Sequence, residues 1–300
     1  MSEQRPIPTL IDVAKAAGVS TATVSRCLNT PDRVAQKTRD NVQAAVDMLG
    51  YTPNFGARAM AAKRTNTIGA IIPTMENAIF ARGLQAFQDE LRLHGYTMLV
   101  ASSNYDPAQE VEQIKSLVTR GADALLLIGT ARDAEIYNFL QTQMVPALIT
   151  WAHVPGAALS SVGFDNEQAM SEMAAAVIAQ GHRRLGLLSG PTKGNDRAAA
   201  RLAGVRVAMQ TAGLKPDNLL VIEAPYAIEN GGAGFAQLMR ARHRPTAVLC
   251  GNDVLAVGAL REAQAMGMGV PNDISIVGFD DIELAQVAHP PLTTVHVPHR

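Results

Sequence analysis

Two hydrophobic patterns follow one another along the chain. In the first 50 residues the apolar positions recur with a helical period, and within 42–49 they fall at i, i+3, i+4 and i+7. From Thr67 onward, short apolar runs rich in β-branched residues alternate with amphipathic segments such as 80–95 and 253–267. The pattern predicts a small all-helical head followed by a larger body in which strands and helices alternate.

The apolar runs of the body predict nine strands. Because they are continuously apolar and separated by helical segments, they are typical of parallel sheets covered on both faces. Nine strands favour two doubly wound lobes over one, and ligands of such sheets bind at the carboxyl ends of the strands, here in the cleft between lobes. The first set is 67–73, 96–102, 122–129 and 146–151, and the second set is 160–165, 184–190, 219–224, 247–251 and 274–280.

The head begins with two short helices separated by a tight turn. Thr9 opens a Thr-x-x-Asp capping box, which predicts a first helix to about Ala17. Gly18 can adopt the left-handed conformation that ends this helix. Ser20 is a good N-cap for a second helix, which reaches about Leu28. Two short helices joined in this way indicate a helix-turn-helix.

A third helix at about 36–49, ended by Gly50, completes the head. The following segment, 53–65, combines a proline start with alanine and arginine, and Gly56 weakens its helical tendency by roughly 1 kcal/mol relative to alanine. We therefore expect a linker that folds on a partner. The predicted domains are a helix-turn-helix domain at 1–52, a hinge at 53–65 and a two-lobed body at 66–300.

Composition and charge narrow the functional classes. Three hundred residues with 47% hydrophobic content can bury more than one core. The net charge of −1 hides an asymmetry, because residues 1–65 carry nine Lys/Arg against five Asp/Glu, while the rest carry 17 against 22. A basic head on an acidic body favours a polyanionic partner.

The sequence also predicts the compartment. The start of the chain lacks a secretory signal pattern, and no run of about 18 uncharged apolar residues is present. Cys27 and Cys250 fall in separate predicted domains, as expected for reduced thiols. We expect a cytoplasmic protein without a membrane partner, which associates with the nucleoid when it is bound to DNA.

The stretch VSTATVSRCLN (19–29) carries the candidate chemistry of the head. Helical spacing places Thr21 with Ser25, and Ala22 with Arg26, on one exposed face, while Val24 faces inward. A recognition helix enters the major groove by its N-terminal residues, and arginine can donate two hydrogen bonds to guanine. The alternative is a satisfied helix cap with a solvated arginine. The glycine turn, the third helix and the basic charge favour the DNA-binding interpretation.

Several spaced motifs resemble one known family. TLIDVAKAAGVSTATVSRCLN, VAQKTRDNVQAAVDMLGYTPN and ARAMAAKRTNTIGAIIP are similar to the DNA-binding head and hinge of the lactose-repressor (LacI/GalR) family. SVGFDNEQA, GHRRLGLLSGP, RLAGV, RPTAVLCGNDVLAVGAL, VPNDISIVGFDD and PPLTTVHVP resemble its effector-binding core. The resemblance implies a periplasmic-binding-protein-like body with two lobes, and a ligand-responsive transcriptional repressor.

For DNA binding, the resemblance implies that Thr21 and Ala22 are the variable base-reading pair and that Arg26 contacts guanine. It also implies a hinge helix at 54–63 that lies in the minor groove and wedges a side chain between bases, with Met60 in place of the usual leucine. Ala35 replaces a common serine N-cap of the third helix. The expected DNA-binding residues are Thr9, Ser20, Thr21, Ala22, Thr23, Ser25, Arg26, Asn29, Asn54, Ala57 and Met60.

The resemblance also implies an effector pocket between the lobes. Arginine offers a planar fork for a carboxylate or adjacent hydroxyls, and aromatic side chains offer flat apolar faces that stack against rings. Against this, a lone Trp is more often a core residue, and an Asp after a strand is often a helix N-cap. We expect a sugar or sugar acid, such as gluconate or a ketogluconate, and no cofactor. The expected contacts are Ile79, Phe80, Thr150, Trp151, Asp165, Arg201, Tyr226 and Asp253.

Catalytic alternatives are weak. Segment 189–196 lacks the spacing of a phosphate-binding loop, no metal-spaced His/Cys cluster is present, and His182 is predicted to lie at a helix end beside a strand. A solute-binding protein would share the two-lobed body, but it would have an export signal and no head. We therefore expect a non-enzymatic regulator that binds a pseudo-palindromic operator in double-stranded DNA as a homodimer, with a tetramer as the alternative. The chain stops at HVPHR, where relatives continue, so we expect an incomplete C-terminal part.

Overall fold

The computed structural model of the chain describes residues 7–53, 56, 59, 62, 64–156 and 159–298. The chain divides into two compact units, Met1–Thr65 and Asn66–Arg300. The described part of the first unit is helical, and the second unit contains two five-stranded parallel sheets. This confirms the predicted fold class of an all-α head and an α/β body with two lobes.

The first unit contains three α-helices and a 3₁₀ turn. Each α-helix begins and ends within one or two residues of its predicted bounds, and the 3₁₀ turn was not predicted. The helices are α1 (Leu10–Ala17), α2 (Thr21–Asn29) and α3 (Gln36–Leu49), with the 3₁₀ turn at Pro31–Arg33.

Local capping explains the first two helix boundaries. Thr9 and Asp12 form the complete capping box, in which each side chain accepts a hydrogen bond from the backbone of the other residue. Gly18 ends α1 with φ of 65°, a conformation in which glycine is preferred. The Ser20 hydroxyl accepts from the backbone N–H of Thr23 at 3.1 Å. Each of these caps was predicted from the sequence.

The third helix has no side-chain N-cap. Ala35 is its N-cap residue and makes no side-chain cap bond, as expected from the missing serine. Gly50 ends it with φ of 62°. The three helices pack around one small core formed by Val13, Ala14, Val24, Cys27, Val42, Ala45 and Tyr51.

Within the predicted hinge, Gly56, Ala59 and Ala62 have helical backbone. Three expected DNA contacts, Asn54, Ala57 and Met60, lie outside the described residues. Their DNA-binding role therefore stays a prediction.

The first sheet of the second unit has the strand order β2-β1-β3-β4-β5, and all of its strands are parallel. Strand β1, which lies between β2 and β3, is buried along its whole length, which explains its uninterrupted apolar run. The strands are β1 (Thr67–Ile72), β2 (Thr97–Ser102), β3 (Ala124–Ile128), β4 (Ala147–Thr150) and β5 (Ser161–Val162), and the helices are α4 (Ala78–Leu93), α5 (Pro107–Thr119) and α6 (Ala134–Thr142).

The second sheet has the parallel order β10-β9-β8-β6-β7. A 3₁₀ turn at Pro216–Asn218 precedes β7. The strands are β6 (Leu185–Ser189), β7 (Leu220–Glu223), β8 (Ala247–Cys250), β9 (Ser275–Asp280) and β10 (Thr293–His296), and the helices are α7 (Asn166–Ala179), α8 (Asp196–Thr211), α9 (Ile228–Met239), α10 (Asp253–Ala265) and α11 (Glu283–Val287).

Two strand predictions need correction. The run at 160–165 was grouped with the second lobe, but only Ser161–Val162 is a strand, and it pairs with β4 at the edge of the first sheet. β10 was not predicted, because Thr293–His296 is partly polar and lies at an exposed sheet edge, where a continuous apolar run is not required. The second sheet therefore reaches five strands without residues 160–165.

In the second lobe, helices α9 and α10 pack in close contact. A Cβ at Gly258 of α10 would lie 2.0 Å from the Ile228 carbonyl oxygen, and a Cβ at Gly231 of α9 would lie 2.3 Å from that of Leu255. The two backbones can approach this closely only because both positions lack a side chain. Among the described residues, no helix is long and apolar enough to cross a membrane.

Candidate functional sites: the recognition helix and the interlobe cleft

The outer face of α2 is the candidate DNA-contacting surface. Thr21, Ala22, Arg26 and Asn29 are exposed, whereas Ser25 is half-buried and its hydroxyl accepts from the Asn29 amide at 3.2 Å. The buried residues of this helix are Val24 and Cys27. The helix thus presents one polar face with a free arginine, as the spacing predicts.

Three of the expected DNA contacts are engaged in helix caps. The Thr9 hydroxyl donates to the Asp12 carboxylate at 2.7 Å, and the hydroxyls of Ser20 and Thr23 lie 2.9 Å apart. The cap at Thr9 holds the pKa of the exposed Asp12 carboxyl below its usual range, since it stabilises the charged form. These three residues therefore stabilise the starts of α1 and α2, and their DNA contacts stay predictions.

The second candidate site is a cavity between the two lobes of the body. It leaves about 20 Å³ free, room for about one water molecule, so the lobes are closed on each other. Every lining residue lies at or just after the end of a strand, at a helix start or on α8. The lining residues are Asn77, Ile79, Phe80, Tyr105, Trp151, Asn195, Arg197, Arg201, Tyr226, Asn252 and Asp280.

Arg201 is the best-anchored cation of this cavity. Its Nε donates to the Asn166 side-chain oxygen at 2.9 Å, and Nη1 donates to the Gly251 carbonyl oxygen. Its guanidinium carbon lies 3.7 Å from the centre of the Phe279 ring, and Nη2 lies 3.9 Å from Asp280 Oδ1. The guanidinium plane is therefore fixed before any ligand arrives, which is how a rigid binding group is built.

Asn252 supplies an unsatisfied donor. Its side-chain oxygen caps α10 by accepting from the Leu255 N–H at 2.9 Å, while its Nδ2 is buried and has no hydrogen-bond partner. A buried amide without a partner costs about 1–3 kcal/mol. Because this amide lines the cavity, a ligand oxygen is the natural acceptor.

Aromatic rings from both lobes line the cavity. Trp151 and Phe80 meet edge to face with centroids 5.4 Å apart, and Tyr105 and Tyr226 meet across the lobes at the same distance. Burial raises the pKa of both tyrosine hydroxyls, so they remain neutral hydrogen-bonding groups. Trp151 and Tyr105 have positive φ angles of 58° and 59°, strained conformations of the kind found at ligand-binding positions.

The structure does not bring all the predicted effector contacts together. Ile79, Phe80, Trp151, Arg201 and Tyr226 line the cavity. Their effector contacts stay predictions.

Thr150, Asp165 and Asp253 do not line the cavity, and each has other partners in the structure. The Thr150 hydroxyl donates to the Leu127 carbonyl at 3.1 Å within the sheet. Asp165 is an exposed N-cap of α7, which accepts from the N–H groups of Glu167 and Gln168.

Asp253 is completely buried and joins α10 to the last strands. Its carboxylate accepts from the Ile282 N–H at 2.9 Å and from the Thr294 hydroxyl at 2.6 Å. Burial raises the pKa of this carboxyl, and the two donors act in the opposite direction. The cap position just before it, Asn252, faces the cavity instead.

Sequence reasoning missed six lining residues, and two signals could have found some of them. Gly-Phe-Asp occurs at 163–165 and again at 278–280, and the second copy ends a buried strand, so Asp280 was the better candidate. The second signal is the helix N-cap that follows a strand, because Asn77, Asn195 and Asn252 are such caps and line the cavity. The missed residues are Asn77, Tyr105, Asn195, Arg197, Asn252 and Asp280.

His182 lies elsewhere and has a structural role. Its two ring nitrogens are 2.9 Å from the Thr246 hydroxyl and 3.0 Å from the Ser275 hydroxyl, and burial lowers its pKa. It thereby joins the N-terminal ends of neighbouring strands of the second sheet. This agrees with its predicted position at a helix end beside a strand.

Asp280 gives the second unit a testable pH dependence. Burial raises the pKa of its carboxyl to about 7, Asp253 acts in the same direction, and Arg201 and Arg197 oppose it. Because the folded pKa exceeds the unfolded value, the folded state binds the proton more tightly, so stability should fall as pH rises from about 4 to about 7. Each unit of pKa shift corresponds to about 1.4 kcal/mol, so Asp280→Asn should raise stability at pH 8 by at most about 4 kcal/mol, and the gain should vanish near pH 4.

Urea unfolding followed by Trp151 fluorescence at both pH values measures this effect. Asp281→Asn is the control, since that neighbouring carboxylate is partly exposed and pairs with His296 at 2.8 Å. A gain for Asp280→Asn that is equal at both pH values would contradict the assignment.

Comparison with known proteins finds a matching family model for each of the two units. The family model described as bacterial regulatory proteins, lacI family, matches residues 9–54, and that described as periplasmic binding protein-like domain matches residues 174–300. The HTH-type transcriptional repressor CytR of Escherichia coli (strain K12) is 33% identical over 296 residues, which are 99% of this chain and 86% of that protein.

Two solved structures are similar in fold. The lac repressor dimer bound to operator and the anti-inducer ONPF has a TM-score of 0.83 and 29% identity, over 96% of this chain and 86% of that one. The complex of the transcriptional regulator CelR with cellobiose has a TM-score of 0.69 and 29% identity, over 97% of this chain and 88% of that one.

The helix-turn-helix head, the two parallel-sheet lobes and these relatives agree, and the relatives are transcriptional regulators and not enzymes. The chain therefore belongs to the LacI family of bacterial DNA-binding transcriptional regulators.

Proposed function

We propose that this protein is a repressor whose operator affinity is controlled by a small molecule bound in the interlobe cleft. The observation that carries this proposal is the buried, unpartnered Nδ2 of Asn252 beside the anchored guanidinium of Arg201. A donor without an acceptor and a cation held in a fixed plane are suited to a ligand rich in oxygen atoms.

The effector we propose is a sugar or sugar acid. Trp151 and Tyr226 provide flat faces for a ring, and the amides of Asn77, Asn195 and Asn252 can bond hydroxyl groups. Arg201 can take adjacent hydroxyls or a carboxylate, as in gluconate or a ketogluconate. The cellobiose bound to the related regulator CelR supports this ligand class.

The first unit provides the DNA contacts in this proposal. Thr21, Ala22 and Arg26 of α2 read bases in the major groove, and the hinge at 53–65, through Asn54, Ala57 and Met60, contacts the minor groove. A homodimer places two heads on a pseudo-palindromic operator. The lac repressor dimer bound to operator is the relative that supports this arrangement.

Regulation follows from linkage. The effector favours one relative orientation of the lobes, and this orientation sets the spacing of the two heads. Operator and effector then change each other's affinity by the same factor. The sign of this coupling decides whether the effector releases the operator or promotes its binding.

Two experiments test the proposal. A randomised duplex selection at modest ionic strength should enrich one pseudo-palindromic sequence, and no enrichment would refute the DNA-binding role. Isothermal titration against gluconate, 2-ketogluconate, glucose and cellobiose should detect binding of at least one compound. An absence of heat for all four, and for a wider sugar panel, would refute the effector class.

A further inference from the structure

The cleft is held closed by a cluster of direct bonds between the lobes. They join the end of β3 in the first lobe to the start of α8 in the second. The Asp196 carboxylate accepts from the Thr130 backbone N–H at 2.6 Å and from the Thr130 hydroxyl at 2.9 Å. Next to it, Arg197 donates to the Ile128 carbonyl oxygen at 3.2 Å.

The first-lobe side of this junction is rigid. Arg132 donates to the carbonyl oxygens of Ile128 and Gly129 and to the Glu110 carboxylate at 2.6 Å. The Tyr137 hydroxyl donates to the Thr130 carbonyl at 3.0 Å. The segment at 128–132 therefore presents the Thr130 N–H in a fixed direction.

The fit between the two sides leaves no spare room. Gly129 has φ of 69°, and a Cβ there would lie 1.9 Å from Arg197 Nη1 and 2.3 Å from Asp196 Oδ1. The carboxylate can reach Thr130 only because this position has no side chain. On the second-lobe side, Asp196 is the first residue of α8, where a negative charge is favoured by the helix dipole.

Asp196 is absent from the lining of the cavity that holds Arg201 and Asn252. Its bonds to Thr130 also involve no ligand atom. The contact therefore stabilises the closed cleft whether or not an effector is bound.

We propose that Asp196 and Thr130 form a latch that sets the fraction of molecules with a closed cleft, and that Asp196 thereby positions the effector site without touching the effector. Its regulatory meaning rests on the proposed effector function. A ligand that binds only one of the two forms has an apparent affinity scaled by the fraction of molecules in that form, so the latch determines the working concentration range of the effector.

The protein contains its own reporter of cleft opening. Trp151 is the only tryptophan, it lines the cleft cavity, and it packs against Phe80 and Gly83 of the first lobe. When the lobes separate, the face of Trp151 turned to the cleft gains contact with water. The emission maximum should then shift to longer wavelength, and acrylamide should quench the emission more strongly.

The test uses the full chain without added sugar. Asp196→Ala should give a red-shifted emission maximum and a quenching constant about twofold higher than that of the unmodified protein, because the open population increases. Thr130→Val, which keeps the side-chain volume and the backbone donor, should change both readings in the same direction by a smaller amount. Glu229→Ala removes an exposed first-turn carboxylate from α9 and should leave both readings unchanged.

An Asp196→Ala protein with native circular dichroism and an unchanged quenching constant would overturn the latch. If this variant does not fold, Thr130→Val decides the question by the same readings. Because no effector is present, failure of the sugar titrations would refute the effector proposal and leave this measurement valid.

Discussion

Replacement of Arg201 by lysine should lower the affinity for the effector by about 100-fold or more, a loss of about 3 kcal/mol. The guanidinium uses three nitrogens in one plane, directed at Asn166, the Gly251 carbonyl and Asp280. A lysine ammonium keeps the charge beside Asp280 but cannot keep this geometry. The loss should therefore come from the misplaced cation and not from an unpaired buried carboxylate.

Isothermal titration with the panel compound that binds the unmodified protein measures the change. Arg206→Lys is the control, because Arg206 lies on the same helix and is exposed. Operator affinity without effector should be equal in both variants if the effector is an inducer. Effector binding by Arg201→Lys that equals that of the control would remove Arg201 from the site.

Replacement of Arg26 by alanine should weaken binding to the selected operator by about 1–3 kcal/mol. The side chain is exposed on α2, on the same face as Ala22. Binding to an unrelated duplex should remain almost unchanged, because that binding depends mainly on the total charge near the phosphates.

Lys37→Ala is the matched control, since it removes one exposed positive charge from the first turn of α3. Fluorescence anisotropy with the selected and the unrelated duplex, at two salt concentrations, separates the two effects. Equal losses on both duplexes for Arg26→Ala would indicate a phosphate contact and contradict base reading.

The head could be predicted almost completely because its signals are local. The Thr9 capping box, the left-handed Gly18 and the Ser20 cap each act within four residues of sequence, and all three are present in the structure. The 3₁₀ turn at Pro31–Arg33 was missed, since its apolar pattern is too short to show a period.

The strands were predictable where both faces are buried and unpredictable at sheet edges. β1 is buried throughout and was predicted within one residue, whereas β10 is half exposed and was missed. Pairing partners are not encoded in a strand's own pattern, which is why 160–165 was assigned to the wrong lobe.

Five predicted effector contacts line the cavity, whereas the prediction of Asp253 missed the lining residue by one position. Asn252 and Asp253 are consecutive, yet the first lines the cavity and the second is sealed between α10 and the last strands. Both are polar and follow β8, so only the direction of the first helical turn separates them.

The sequence alone predicted the helices, the continuous strands, the basic head and the family. Each of these depends on short-range periodicity, capping, composition or local motifs. The comparisons confirm the family. Only the three-dimensional arrangement decided which side chains share the cleft and which bonds close it. Asp196 and Thr130 are 66 positions apart in the chain, and no local pattern links them. Such contacts form only where the two lobes meet, and their geometry depends on both lobes at once.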